Sequence, residues 1–431
     1  MFGDRIDNGW AGLNEFKYPR KPVFSYLWVV IFLALGLVLV ACGEDRADST
    51  PAGGVVDGAE TALPTEAGPT LAETVAPAVS ATLPPAPTLE PPTATLAPTA
   101  AETATPEPVL LLTEADFGDN RNPLTGEVVT DTAALQRHPI AVKLSNSPAQ
   151  YTRPQAGLGQ ADLVFEHPTE GPITRFTAVF YSQTPPDVGP IRSARLIDVE
   201  IPAMYDAALA YSGASIGVSR KLGGADFRAR LLRSNEPGYY RTGEDKPWEH
   251  TLHGNPEAFW QALAAKGENQ APVFGNFMAF SSEPPEGGEP AGTVTVKYRD
   301  WTTVEWRYDP ENGRYWRWTD GEVHADANSG EQVSAANVVA VFAIHQLDMS
   351  ICEYQVGDTC QAFSTEIQIW GQGPAIVFRD GRGYEVTWKR ENRGDMLTFY
   401  DEAGHPVPLQ IGNTWFQVVP LHYVDPVTIT P

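Results

Sequence analysis

An uncharged, largely apolar run from Pro22 to Ala41 ends directly in Cys42 and Gly43, and that junction decides where the rest of the chain folds. Lys17, Arg20 and Lys21 stand just before the run. A basic flank, an apolar segment and a small residue at the cut make a secretory signal. Everything after Cys42 is then expected to fold outside the cytoplasm. The alternative is an uncleaved transmembrane helix, because ~20 residues at 1.5 Å each reach ~30 Å, enough to span a bilayer. Both readings leave the N-terminus inside.

Leu39-Val40-Ala41-Cys42 looks like a lipobox, the site at which bacterial lipoproteins are cleaved and acylated on the cysteine. A plain anchor gives no reason for a cysteine at the boundary, so cleavage of residues 1–42 and lipidation of Cys42 is the reading adopted. The membrane is then a partner through lipid. The other two cysteines, Cys352 and Cys360, are separated by a short polar loop. In an oxidising compartment they read as a disulfide, and a two-cysteine metal site lacks further ligands.

Half of the formal net charge of −24 falls between residues 43 and 120, where thirteen acids face one base. Residues 43–117 are Ala, Pro, Thr and Glu with almost no aromatics, as in Pro84-Pro85-Ala86-Pro87-Thr88. Such a stretch buries too little apolar surface to fold and is expected to be a disordered stalk. At ~3 Å per residue, ~65 residues reach on the order of 200 Å at most. An acidic chain of this kind is a poor match for nucleic acid.

Two folded modules are expected. In 118–285, strands read at Pro139–Leu144, Asp162–Phe165, Phe176–Tyr181 and Ala208–Tyr211, with a helix over Ser193–Ala208 and another from Pro256 to Ala265 capped by Asn255. The Pro- and Gly-rich Ser281–Gly292 reads as a linker. In 293–431, Thr303–Tyr308 and Arg314–Trp318 flank a turn at Asp309–Gly313, and more strands follow at 338–343, 365–370, 384–388 and 414–419. The fold class expected is α+β: a mixed α/β module, then a smaller β-rich one.

The densest polar constellation is Val188-Gly189-Pro190-Ile191-Arg192-Ser193-Ala194-Arg195. Read as a turn entering a helix capped by Ser193, it offers backbone N–H groups and guanidinium forks to an anion. Arg153 and Arg175 are the nearest further candidates. The plain alternative is that these arginines pair with Asp162, Glu166 and Glu170. Glu166 and Glu170 are also weak candidates for the carboxylate pair of a glycan hydrolase, which needs the two groups about 5–9 Å apart. His250 and His253 lack the helical spacing and third ligand of a metal site. Trp316 and Trp318 share one strand face, and such alternation most often means core packing. No cofactor or metal is implied.

Five ordered segments carry a resemblance: Asn122–Gly126, Arg153–Leu158, Ala161–Glu166, Glu170–Phe176 and Val188–Arg195. Together they resemble the YerB-like lipoproteins, and Gly412-Asn413-Thr414-Trp415 matches more loosely. The resemblance implies a lipid-anchored envelope protein with an N-terminal and a C-terminal domain of unknown function. It supplies no reaction. Ser145-Asn146 stands where relatives often have Asp-Asn, and Pro172 where a second Gly is frequent. The leading expectation is a non-enzymatic binding or assembly module that holds an anionic cell-wall component through Arg153, Arg175, Arg192, Ser193 and Arg195. A glycan hydrolase and a solute-binding lipoprotein are the alternatives, and the oligomeric state is open.

Overall fold

The computed structural model describes residues 111–171, 173–299 and 302–431, all within a unit running from Pro98 to Pro431. The signal and lipidation reading of residues 1–42, and the stalk as far as residue 110, lie outside the described residues. From Leu112 the chain is already folded: Leu112 bridges Phe280, and Phe117 is buried. The stalk boundary expected at 117 therefore falls inside folded sequence.

The apolar runs of the first stretch form β1 (Ile140–Ser145), β2 (Leu163–Pro168), β3 (Thr174–Phe180), β4 (Ala208–Tyr211) and β5 (Leu231–Arg233). Nearly every residue of β1, β2 and β3 is buried, polar ones included, so these strands are covered on both faces. Helices are few. They include α1 (Ile216–Gly223) and α2 (Pro256–Ala265). The second begins as its sequence dictates, with the Asn255 side chain accepting from the Ala258 N–H at 2.9 Å.

The later strands are β6 (Thr293–Tyr298), β7 (Thr302–Asp309), β8 (Arg314–Thr319), β9 (Asn337–Val356), β10 (Thr359–Gln368), β11 (Gly371–Arg379), β12 (Arg382–Arg390), β13 (Thr398–Tyr400), β14 (Thr414–Pro420) and β15 (Val427–Thr430). The main sheet runs β13-β12-β11-β9-β14-β2-β3-β1-β4-β5. The two stretches read as separate modules thus meet in one sheet. The join is β14, parallel to β2 on one side and β9 on the other, with Trp415 opposite both Val164 and Val338. All seven β14 residues are buried. Mostly strand, with few helices, is the observed balance.

Side-chain alternation gives the main sheet two cores. Ala141, Leu163, Phe165 and Val179 point to one face, with Ile197, Met204 and Leu222. Val142, Leu144, Val164 and Phe176 point to the other, where the second sheet, built on β6, β7, β8 and β15, covers them with Val296, Val304 and Trp306.

Three local expectations change. The helix over Ser193–Ala208 is instead a 3-10 turn at Leu196–Val199 and a one-turn helix at Ile201–Met204, with Pro202 in its first turn. Trp316 and Trp318 do not pack the core; their β8 neighbours Tyr315 and Arg317 do, while the tryptophans are half-buried and Arg307 lies 4.1 Å over Trp318. The 338–343 strand is far longer: β9 leaves the main sheet after Ala343 and forms an arm with β10. Cys352 and Cys360 form a disulfide across that arm, Cα atoms 5.8 Å apart, as expected. Among the described residues no helix is long and apolar enough to cross a membrane.

Candidate functional site

Strand β4 stops pairing with β1 at Val142, which frees the last residues of β1 for another partner. The segment from Val188 to Ala194 takes that place as extended chain. Ser145 donates its N–H to Pro190 O at 2.9 Å, Arg192 to Lys143 O at 2.8 Å, and Ile191 to Leu252 O at 2.7 Å. Its backbone groups are consumed by these long-range partners, so no helix starts at Ser193 and its hydroxyl caps none. A Cβ on Gly189 would lie 2.4 Å from the His253 ring, so only glycine admits this approach. The expected helix-terminus anion site is therefore absent. The arginines remain.

Arg175, Arg192 and Arg195 gather beside the β1–β3 face that carries Lys143, His167 and Thr177. Arg175 is buried, and its guanidinium donates to Ser193 O at 2.6 Å. Arg192 donates to Glu249 O at 3.1 Å, and its Nε is buried without a hydrogen-bond partner among the described residues. Neither has an ion pair within 4 Å among the described residues. Of the nearby carboxylates, Glu249 acts on Arg192 through space and the others are occupied. Glu170 bonds Arg195, which also lies 3.6 Å from Glu353. Asp198 takes Lys143 Nζ at 2.9 Å, the Thr177 hydroxyl at 2.7 Å and the Arg195 N–H at 2.6 Å.

Electrostatics follow from that count. Burial, then Arg195 and Arg192, bring the Arg175 guanidinium down to about 9. Burial lowers Lys143 to about 8 despite Asp198. Its Nζ sits 2.5 Å from His167 Nε2, and burial with that ammonium holds His167 well below its usual value. His250 is lowered by burial and then by Arg192, and its ring stacks on Tyr151 at 5.7 Å. The cluster sets Lys143, Arg175, Arg192 and Arg195 against Asp198, Glu170, Glu353 and Glu249, and within it Arg175 and Arg192 are the two cations without a direct ion pair among the described residues.

The other predicted residues lie elsewhere. Arg153 belongs to the opposite face of the sheet, where Nη1 meets Asp320 Oδ2 at 2.7 Å and Nε donates to Asn146 at 3.1 Å. Glu166 is on that face too, fully buried, with Arg317 at 2.8 Å and the Thr174 hydroxyl at 2.8 Å. Arg317 in turn donates to His324, whose Nε2 faces Gln155 Oε1 at 2.7 Å. The sheet thus splits Glu166 from Glu170, and each has its own arginine. They do not flank a common cleft. His250 enters the arginine cluster from distant sequence, and only its neighbourhood to His253 had marked it. His253 instead pairs with Asp187 at 2.8 Å, and no His, Cys, Asp and Glu group fit to hold a metal occurs among the described residues.

Residues 124–269 match the family model "Protein of unknown function (DUF3048) N-terminal domain", and residues 294–416 match the corresponding C-terminal domain model. A curated relative, "Putative lipoprotein YerB" of Bacillus subtilis, is 31% identical over 303 residues, covering 69% of this chain and 86% of the relative. A crystal structure of YerB from the same organism aligns with a TM-score of 0.60 at 28% identity, covering 72% of this chain and 99% of that one.

Proposed function

The chain belongs to the DUF3048 family and is a homologue of YerB, and from that premise we propose a lipid-anchored extracytoplasmic protein that binds an anionic cell-wall component through Arg175, Arg192 and Arg195. The lipid anchor rests on Cys42 after its apolar run and on the relative's name. The observation that carries the binding reading is the buried Arg175 guanidinium without a direct ion pair, next to the half-buried Arg192, which also lacks one although Glu249 is near. Glu170 and Asp198 act on Arg175, and Glu249 on Arg192, only through space, so both guanidiniums keep the capacity to bond an anion directly. Ser193 contributes through its backbone carbonyl, which fixes Arg175. Arg153 drops out of the site.

This is binding, not chemistry. Glu166 is sealed with Arg317 and reaches no solvent, so the hydrolase reading lacks an accessible acid and base. The test is a thermal titration of the purified protein with anionic wall fragments, with released products assayed in the same samples. Ligand at 100-fold over Kd adds about 2.7 kcal/mol of stability. Arg192→Ala is expected to abolish that gain while the unliganded protein melts within a degree or two of wild type. Equal stabilisation of Arg192→Ala and wild type would refute the site, and product release would refute the non-enzymatic reading.

A further inference from the structure

A second site lies where three parallel strands end together. β2 stops at Pro168, β14 stops at Pro420, and β9 leaves the sheet after Ala343. The carboxyl ends of neighbouring parallel strands whose connections diverge leave a crevice, the usual ligand position in such sheets. A cavity of about 520 Å³ opens there, within the range of about 300–1,000 Å³ of small-molecule sites. The β9–β10 arm forms one wall and the turn between β2 and β3 another.

Its lining has a specific chemistry. Phe363 and Tyr423 contribute aromatic rings, and Thr169, Gln361 and Thr365 contribute neutral donors and acceptors. Two polar atoms of its lining residues are buried without a hydrogen-bond partner among the described residues, Thr169 Oγ1 and His345 Nε2. His345 donates Nδ1–H to Ala343 O at 3.0 Å, which leaves Nε2 as a bare acceptor, and burial keeps the ring neutral at ordinary pH. The charged side chains in the lining are Glu170, already bonded to Arg195, and Arg299, whose guanidinium lies 5.4 Å over the Tyr423 ring. Aromatic faces beside neutral hydrogen-bonding groups suit a sugar ring. Its C–H face stacks on an aromatic and its hydroxyls find partners at the edge.

We propose that this crevice binds a neutral one- or two-ring carbohydrate. The inference does not depend on the arginine cluster, since the ligand carries no charge. Calorimetric titration of the full-length chain, in a zwitterionic detergent without a sugar headgroup, with N,N′-diacetylchitobiose and with cellobiose tests it. One or both are expected to bind at one per chain. Tyr423→Ala should weaken binding about tenfold, which is 1.4 kcal/mol, while Tyr423→Phe stays within about threefold because the ring face remains. Thr169→Val should also weaken it. The absence of saturable binding of either disaccharide at ~10 mM, a bound of only ~2.7 kcal/mol, would overturn the proposal. So would unchanged affinity in both Tyr423→Ala and Thr169→Val.

Discussion

The two faces of β1–β3 carry polar networks built from adjacent residues of the same strands, yet they differ in how directly their charges are paired. On one face Glu166, Arg317, Thr174, Asn146, His324 and Gln155 close on one another under the second sheet. On the other, Lys143 and Arg195 bond carboxylates directly, while Arg175 and Arg192 bond only backbone carbonyls and feel Glu170, Asp198 and Glu249 through space. The difference teaches how to tell scaffold from site when both are buried and charged. A scaffold network pairs its ions directly, because a buried ion without a partner costs several kcal/mol. Under the proposed reading, the arginines without direct pairs are the ones a ligand would engage.

The largest effect expected is on the closed face. Glu166→Gln leaves the Arg317 charge buried beneath Trp415 and Trp306 without its partner, and should cost about 3–5 kcal/mol by chemical denaturation. A loss under about 1 kcal/mol, the scale of an exposed pair, would erase the distinction between the faces.

Acid should strain both faces. Burial holds His167 and His324 well below their usual value and His345 down to about 4. Each such group stabilises the fold fully above its unfolded pKa of about 6.5, and that stability is lost as pH falls through the folded value. Asp162, pushed up to about 6 by burial, has the opposite sign: its contribution is present below about 3.9 and lost as pH rises through 6. Three groups outweigh one, so the urea midpoint should fall between about pH 6.5 and 4.5. A flat or rising midpoint would mean that the histidines carry charge in the folded state.

The smallest effect expected is at Arg153. Its pair with Asp320 is partly exposed, so Arg153→Ala should cost only about 0.2–1 kcal/mol and leave ligand binding unchanged. Weakened binding of wall fragments would return Arg153 to the site.

Local signals survive folding well, and this chain shows which ones. Asn255-Pro256 and Asp309–Gly313 act over four or five residues, and the cap and turn they encode are present. The spacing of Leu196, Ile197, Ile201, Met204 and Tyr205 also looked helical, and all five are buried. There, Glu200 is claimed by Arg390 and Arg393, both at 2.8 Å and nearly two hundred residues away, and the chain breaks into two turns. Glu166 and Glu170 would share a face on an unbroken strand, but β2 ends at Pro168 and the chain turns. That the arginines at 175, 192 and 195 gather was legible because β3 and the extended segment are near in sequence. His250 was not, since only tertiary pairing through Leu252 brings its segment to Ile191. That the last long strand, β14, joins the two halves was equally hidden, because nothing local names its neighbours.

The most direct test of surplus charge as the mark of the site is Arg175→Met, compared with wild type by thermal melting with and without pyrophosphate at matched ionic strength. Removing an unpaired buried charge in favour of an apolar chain of similar length should leave the unliganded melting point equal or higher. Pyrophosphate should then raise the wild-type melting point and leave that of Arg175→Met where it was. A wild type indifferent to pyrophosphate, or an Arg175→Met protein that melts several degrees lower without ligand, would make Arg175 part of the scaffold and contradict the account.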